Sequence, residues 1–393
     1  MSREVFIVGV GMTSFSKPGG NADYGSLGLA ALTSALADSG LEYRSVGAGY
    51  AGYVYGDSTS GQGVFYRAGM TGIPIINVNN NCATGSTALY LAAKGIEHGE
   101  HECALAVGFE QMRPGALGSV YDDRPDPLAR FLDALEAKEG GTEVPMALRL
   151  FGTAGLAYQR AYGASDETFA RITVKARSHA AHNPLALLRT PVTVEEVLGS
   201  PRLFGNLTRL QCCPPTCGAA AAVLCTEDFA RRHGITPLIR IAGQSLVTDR
   251  PDSFDDAMAL VGGRMAARAA QQVYTQSGLG PDVIDVVELH DCFTTSEIIS
   301  YEALGIVPPG GSEQFVADGQ NTYGGRIVVN PSGGLLSKGH PLGATGLAQC
   351  AELVWQLRGT AGARQVQGAR IALQHNVGLG GACVVTLYER MAA

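Results

Sequence analysis

Pro74-Ile75-Ile76-Asn77-Val78-Asn79-Asn80-Asn81-Cys82-Ala83-Thr84-Gly85-Ser86 reads as a short apolar strand, an asparagine turn, a thiol and the start of a helix. Beyond it Ala88, Leu89, Leu91, Ala92 and Ile96 recur at helical spacing, so a helix is expected from Thr84 to about Glu97. A second apolar strand, Cys103-Ala104-Leu105-Ala106-Val107-Gly108, follows. Strand, helix and strand in succession is the unit of alternating α/β architecture. The same reading places Cys82 at or just before a helix N-terminus. There the positive end of the helix dipole is expected to favour the thiolate and lower the thiol pKa below its free value of about 8.5.

Outward from this stretch, Val5-Phe6-Ile7-Val8-Gly9-Val10 has the pattern of a buried strand, and Gly28 to Ser39 that of a helix with Leu29, Leu32 and Leu36 on one face. The second half repeats the logic. After the Pro331-Ser332-Gly333-Gly334 turn and His340, Leu347 to Leu357 is expected as a helix and Arg370-Ile371-Ala372-Leu373-Gln374 as a strand. The halves read as duplicated α/β units, each presenting a reactive residue before a helix. Between them, Asp122-Asp123-Arg124, Glu136-Ala137-Lys138-Glu139 and a helical pattern from Glu167 to His179 mark a helical insertion over the site, as lids commonly enclose substrates. The expected units are 1–112, the insertion 113–208, a return to the first half at 209–235, and the second half at 236–393.

Composition narrows the class. With 393 residues, 46% hydrophobic and 17% charged, the chain can bury a large core. A net charge of -7 and a pI near 5.6 argue against nucleic acid and for a small-molecule partner. The nine cysteines lack a disulfide framework spacing, which fits a reducing compartment. No segment has the makings of a signal peptide or a membrane span, and Met391-Ala392-Ala393 is not a Ser-Lys-Leu address. A cytoplasmic protein is expected.

The candidate chemistry lies on loops. Val283-Ile284-Asp285-Val286-Val287-Glu288-Leu289 reads as a strand leading into His290-Asp291-Cys292-Phe293, and His340 stands in the rigid turn Gly339-His340-Pro341. His290 and Cys292, one residue apart, can face one cavity from an irregular turn, whereas Asp291 is read as a brace for backbone amides. Two thiols and two imidazoles point to covalent acyl chemistry. Cys103, Cys225, Cys350 and Cys383, in apolar strands or helices, are read as packing residues. Cys212-Cys213-Pro214-Pro215-Thr216-Cys217 matches no paired zinc spacing and is read as a loop, so no metal is expected. His375 is left unassigned. Gly378-Leu379-Gly380-Gly381 leads into the strand Ala382-Cys383-Val384-Val385-Thr386-Leu387-Tyr388 rather than a helix, which excludes a dinucleotide fingerprint. Its glycines suit the close backbone approach of an oxyanion hole.

Asn-Cys-Ala-Thr-Gly-Ser at 81–86, His-Asp-Cys-Phe at 290–293, Gly-His-Pro at 339–341 and the glycine-rich loop at 378–381 closely resemble the thiolases. His-Asp-Cys-Phe, where most thiolases carry Asn-Glu-Ala-Phe, marks the sterol carrier protein type. The resemblance spans nearly the whole chain. It implies two α/β halves in a five-layer αβαβα sandwich with an inserted loop domain, and a homodimer or a pair of dimers. By the same resemblance Cys82 is the acyl-carrying nucleophile, His340 its base and Cys292 the second acid/base thiol. Asn376 or Val377 stands near the position where other thiolases place that second thiol. His290 and His340 would form one oxyanion hole, and the amides of Cys82 and of Gly378 or Gly380 the other. Cys217 departs from the family, which usually carries Asp before Gly218-Ala219-Ala220-Ala221.

The implied activity is an acyltransferase's: thiolysis of a 3-oxoacyl-CoA in lipid β-oxidation, or sterol side-chain degradation, with coenzyme A as substrate and no resident cofactor. Alternatives are a retro-aldol lyase on a 3-hydroxyacyl-CoA, acting with a partner protein, and a non-catalytic acyl-CoA or lipid carrier.

Overall fold

The computed structural model describes residues 3–115, 118, 120–121, 123–140 and 143–392, without the Glu139 side chain. Asp122, of the first charge cluster, lies outside the described residues. The first half runs β1 (Phe6–Met12), α1 (Tyr24–Ser39), β2 (Ala48–Gly52), α2 (Ser60–Ala68), β3 (Ile75–Val78), α3 (Thr84–Glu97) and β4 (Cys103–Glu110). The chain then leaves the sheet for α4 (Ala129–Glu139), α5 (Met146–Tyr162), α6 (Asp166–Ala181), α7 (Val194–Leu198) and the small ribbon β5 (Arg202–Phe204) and β6 (Leu207–Thr208). It returns as β7 (Gly218–Cys225) and α8 (Glu227–Arg232). The second half is β8 (Ile239–Val247), α9 (Ala257–Leu260), α10 (Gly263–Ser277), β9 (Val286–Glu288), α11 (Thr294–Ala303), α12 (Ser312–Ala317), β10 (Val328–Val329), α13 (Gly334–Ser337), α14 (Thr345–Arg358), β11 (Ile371–Gly378) and β12 (Ala382–Arg390).

The sheet order is β10-β9-β11-β12-β8-β1-β7-β4-β2-β3. From the centre outward, β1 pairs antiparallel with β7, β7 antiparallel with β4, β4 parallel with β2, and β2 parallel with β3. The other side repeats those senses with β8, β12, β11, β9 and β10. The duplication read from the sequence is therefore a duplication of topology, joined where Phe6 and Ile7 meet Arg240 and Ile239. Helices α3 and α14 pack against each other and against strands of both halves, while α1 covers β1 and β7 and α10 covers β8 and β12. Helix, sheet, helix, sheet, helix is the resulting stack.

Close approach at the centre depends on missing side chains. A Cβ on Gly346 would lie 2.2 Å from the Ser86 backbone nitrogen, and one on Gly85 2.6 Å from the Gly343 carbonyl oxygen. The first turns of α3 and α14 can therefore touch, which brings the residues just before each helix together.

Local chemistry explains where boundaries moved. Helix α1 begins four residues before the expected Gly28 because Asp23 caps it, accepting from the Ser26 amide at 3.0 Å. Strand β9 is shorter than expected: Pro281 opens a 3₁₀ turn at Pro281–Val283, and the Asp285 carboxylate accepts the amides of Arg370 and Ile371. Strand β11 continues through His375 to Gly378, so His375 is a buried strand residue rather than part of a loop.

Candidate active site

Cys82 lies two residues before α3, immediately after Asn81, whose φ of 50° is left-handed. Asn81 is held in that conformation by donating Nδ2 to the Leu379 carbonyl at 3.1 Å, which ties the cysteine loop to the glycine-rich turn between β11 and β12. Gly378 packs so tightly there that a Cβ would meet the Asn80 carbonyl oxygen at 2.1 Å, and Gly380 is left-handed at φ 94°.

His290 and Cys292 follow β9, and His340 precedes α14, as expected. The Cys82 sulfur and one ring nitrogen from each of His290 and His340 all lie within 4.8 Å of one another. The imidazoles meet edge to face, with centroids 5.2 Å apart and planes at 83°. All three residues and Cys292 line one cavity of about 500 Å³. Its walls are mainly apolar, with Phe151 and Leu148 of α5 on one side and Pro214 and Pro215 on another. Phe151 stacks on Phe293 at 4.7 Å, seating the insertion over the site.

Hydrogen bonds assign each imidazole a tautomer. Thr345 Oγ1 donates to the Pro341 carbonyl at 2.9 Å and lies 2.7 Å from His340 Nδ1, so it accepts from Nδ1–H. His340 Nε2 then carries a lone pair; it is buried and has no hydrogen-bond partner among the described residues. His290 is opposite: its Nδ1 lies 2.9 Å from the Asn376 amide nitrogen, a donor, so the proton sits on Nε2. Cysteine and two histidines at this spacing are a geometric candidate for a metal. The donor set fits poorly, because His290 presents N–H rather than a lone pair toward the cysteine.

One expectation fails. Burial raises the Cys82 thiol to about 12, Glu110 adding to it, so desolvation outweighs the helix dipole. Burial also depresses His340 to about 3, helped by Lys338, and holds His290 well below its usual value, with His340 and His375 contributing. Cys292 is pushed well up by burial and by neighbouring Cys213 and Cys82. The site is therefore a neutral thiol facing a neutral base, rather than a thiolate.

Asp291 accepts the Leu335 and Leu336 amides at the start of α13, at 2.7 and 3.4 Å, which is the bracing role read from the sequence. The Cys212–Cys217 loop forms cavity wall: the Cys213 amide donates to the Cys292 carbonyl at 2.9 Å, and Thr216 Oγ1 accepts the His340 amide at 3.1 Å. Cys217 is buried, its sulfur donating to the carbonyl of Met112, and Cys383 is buried in β12 opposite Val377. Val377 packs in the apolar core, and His375 accepts the His290 amide at 3.5 Å. Thr345, Thr216 and Ser86 went unread, and Asn376 was noted only for its position, because each bonds a partner remote in sequence or hidden in a helix start. Only the Thr345 position, five residues after His340, carried a local signal.

Residues 5–228 match the thiolase N-terminal domain and residues 252–388 the thiolase C-terminal domain-like family. The chain belongs to the thiolase superfamily, sterol carrier protein type. It is 52% identical to sterol carrier protein 2 of Rattus norvegicus over 391 residues, covering 98% of this chain and 72% of that protein. It is 35% identical to benzoylsuccinyl-CoA thiolase subunit BbsB of Thauera aromatica, over 97% of this chain and 96% of the relative. Among solved structures, the Ltp2-ChsH2(DUF35) aldolase superposes with a TM-score of 0.81 at 26% identity, covering 98% of both chains. In this chain no described helix is long and apolar enough to cross a membrane.

Proposed function

We propose that this protein cleaves a 3-oxoacyl-CoA with coenzyme A through an acyl-Cys82 intermediate, in fatty-acid or sterol side-chain degradation. The observation that carries the reading is the meeting of Cys82, His290 and His340 within 4.8 Å, in an apolar cavity that also holds Cys292. His340 Nε2 takes the thiol proton as the Cys82 sulfur attacks the 3-keto carbon. The amides of Cys82 and of Gly378 or Gly380 stabilise the 3-keto oxygen as it gains charge, and His290 Nε2–H, with the newly protonated His340, stabilises the thioester oxygen of the CoA moiety as it becomes an enolate. The bond between carbons 2 and 3 then breaks, its electrons leave as the acetyl-CoA enolate, and the Cys292 thiol protonates carbon 2. In the second half-reaction the Cys292 thiolate takes the proton of incoming coenzyme A. That sulfur displaces Cys82, which recovers its proton from His340. The same amides of Cys82 and of Gly378 or Gly380 keep hold of the former 3-keto oxygen, now the acyl-Cys82 carbonyl, in this step.

A neutral resting pair suits this scheme. The thiol is unreactive until substrate arrives, because charge separation in the buried site needs the donors that a bound carbonyl engages. Helix α5 of the insertion, through Leu148 and Phe151, acts as cover, and exposed Arg209 at the cavity edge is placed to meet a coenzyme A phosphate. A second copy of the chain is the expected partner along β3, the outer strand of the sheet, where Ile76 and nearby Tyr66 and Met70 are exposed. A cytoplasmic location remains part of this reading.

Similarity to the Ltp2-ChsH2(DUF35) aldolase favours one second reading, a retro-aldol lyase acting with a partner. Intact mass of the protein mixed with acetoacetyl-CoA and with a longer 3-oxoacyl-CoA separates the two. An acyl adduct absent from Cys82→Ala supports thiolysis. Full activity of Cys82→Ala on a 3-hydroxyacyl-CoA would establish the lyase.

A further inference from the structure

His290 and His340 are the same residue type, face the same sulfur and are both neutral, yet the proposed chemistry needs one to accept a proton and the other to donate a hydrogen bond. A buried imidazole by itself prefers neither strongly enough to guarantee the division. What decides it for His290 is a chain of side chains that crosses from one half of the molecule to the other. Strand β11 places Gln374 and Asn376 on one face, because alternate strand residues point the same way. That face meets the first turn of α3, where Ser86 stands.

The bonds of the chain satisfy every donor and acceptor in one set of directions. The Gly346 carbonyl lies 2.7 Å from one end of the Gln374 amide, and since a carbonyl only accepts, that end is the NH₂. The other end, Oε1, accepts from the Tyr388 hydroxyl at 2.5 Å. Gln374 Nε2 also donates to Ser86 Oγ at 2.8 Å, which leaves the single Ser86 hydroxyl proton for Asn376 Oδ1 at 2.9 Å. With its oxygen engaged there, Asn376 must turn Nδ2 toward His290 Nδ1. Gln374, Asn376, Ser86, Tyr388 and His290 are all buried, so no solvent water competes for these groups. Turning the Asn376 amide over would make Ser86 Oγ accept twice and strand its hydroxyl proton without an acceptor among the described residues, at a cost of about 1–3 kcal/mol for the group left unpaired.

We propose that Asn376 is a positioning residue which, oriented through Ser86 and Gln374, keeps the proton of neutral His290 on Nε2 and so makes His290 a hydrogen-bond donor to the substrate oxygen and never a competing base for Cys82. The functional part of this inference rests on the thiolytic reading above; the tautomer itself does not. It also explains why the oxyanion role falls to this histidine: the anchoring Gly346 carbonyl and the Ser86 hydroxyl belong to the two helix starts that build the site.

The test reads the proton directly and then its consequence. In the full-length protein labelled with ¹⁵N-histidine, the His290 signals, assigned by their loss in His290→Gln, should show Nδ1 unprotonated and Nε2 protonated. Asn376→Asp offers only acceptors, so Nδ1 should become protonated, whether the ring stays neutral or gains charge. Asn376→Ala should slow the acylation of Cys82 by acetoacetyl-CoA at least about tenfold, within the ~10²–10³-fold span for losing an oxyanion donor, at little change in KM. Alkylation of Cys82 by iodoacetamide, which needs no oxyanion donor, should stay within about twofold. A protonated Nδ1 in the wild type, or an unprotonated one in Asn376→Asp, overturns the proposal. Should Asn376→Asp fail to fold, Ser86→Ala takes its place: it frees the Asn376 amide to rotate and should give mixed tautomers, and a single unchanged tautomer overturns the proposal. If instead the wild type shows the expected tautomer but acquires no acyl group, the thiolytic reading fails and the positioning chain stands.

Discussion

Thr345→Val tests the other imidazole. Valine has the shape of threonine without the hydroxyl, so it removes the acceptor 2.7 Å from His340 Nδ1 and little else. His340 is buried, and no described protein atom bonds its Nε2, so the proton loses its only partner on the Nδ1 side. Leaving that N–H unpaired costs about 1–3 kcal/mol. The cost falls only on the tautomer that presents Nε2 as a base, and at tenfold per 1.36 kcal/mol its population drops by about 5- to 150-fold. Single-turnover acylation of Cys82 by acetoacetyl-CoA, followed by quenching and intact mass, should slow by that factor. Thr345→Ser, which keeps the hydroxyl, should recover most of the rate. KM should change little, because Thr345 is not among the cavity-lining residues. A folded Thr345→Val variant acylating within twofold of wild type would refute the assignment of His340 as an Nε2 base fixed by Thr345.

Other outcomes follow from burial and charge. Because burial raises Cys82 to about 12, its thiolate fraction, and with it the iodoacetamide rate, should climb about tenfold per pH unit from pH 6 to 9; a plateau below pH 8 would mean a thiolate already present. Lys338→Met strips its cation from Glu288, both being buried and 3.2 Å apart, and should cost about 3–5 kcal/mol in urea unfolding at pH 7, whereas a loss under about 1 kcal/mol would contradict the pairing. Arg209→Ala should raise KM for coenzyme A about fivefold or more with kcat nearly unchanged, as expected for about 1–1.5 kcal/mol of uniform binding, and an unaltered KM would remove Arg209 from the entrance.

Local pattern carried most of the architecture. The strand from Ile75 to Val78, the helix from Thr84 to Glu97 and the strand from Cys103 onward stand where the local pattern put them, because the apolar face of the helix and the unbroken apolar run of the fully buried strand Cys103–Glu110 are written in consecutive residues. The second unit around His340 was legible for the same reason. Less was legible where a single side chain overrides the pattern, as with Asp23 at the head of α1 and Pro281 ahead of β9.

The sequence by itself determined which residue types are reactive and that they sit beside helix starts: Cys82 before α3, His340 before α14, His290 and Cys292 after β9. Only the tertiary structure decided their protonation. Whether Cys82 is a thiol or a thiolate depends on how much water the assembled halves exclude, and here burial prevails over the dipole of α3. Which imidazole nitrogen holds the proton depends on Thr345 in one case and on Asn376, Ser86 and Gln374 in the other. Ser86 and Asn376 are 290 residues apart in the chain, and a bond over that separation leaves no trace in local periodicity. The donors and acceptors acquire direction only when the two halves of the sheet close on α3 and α14.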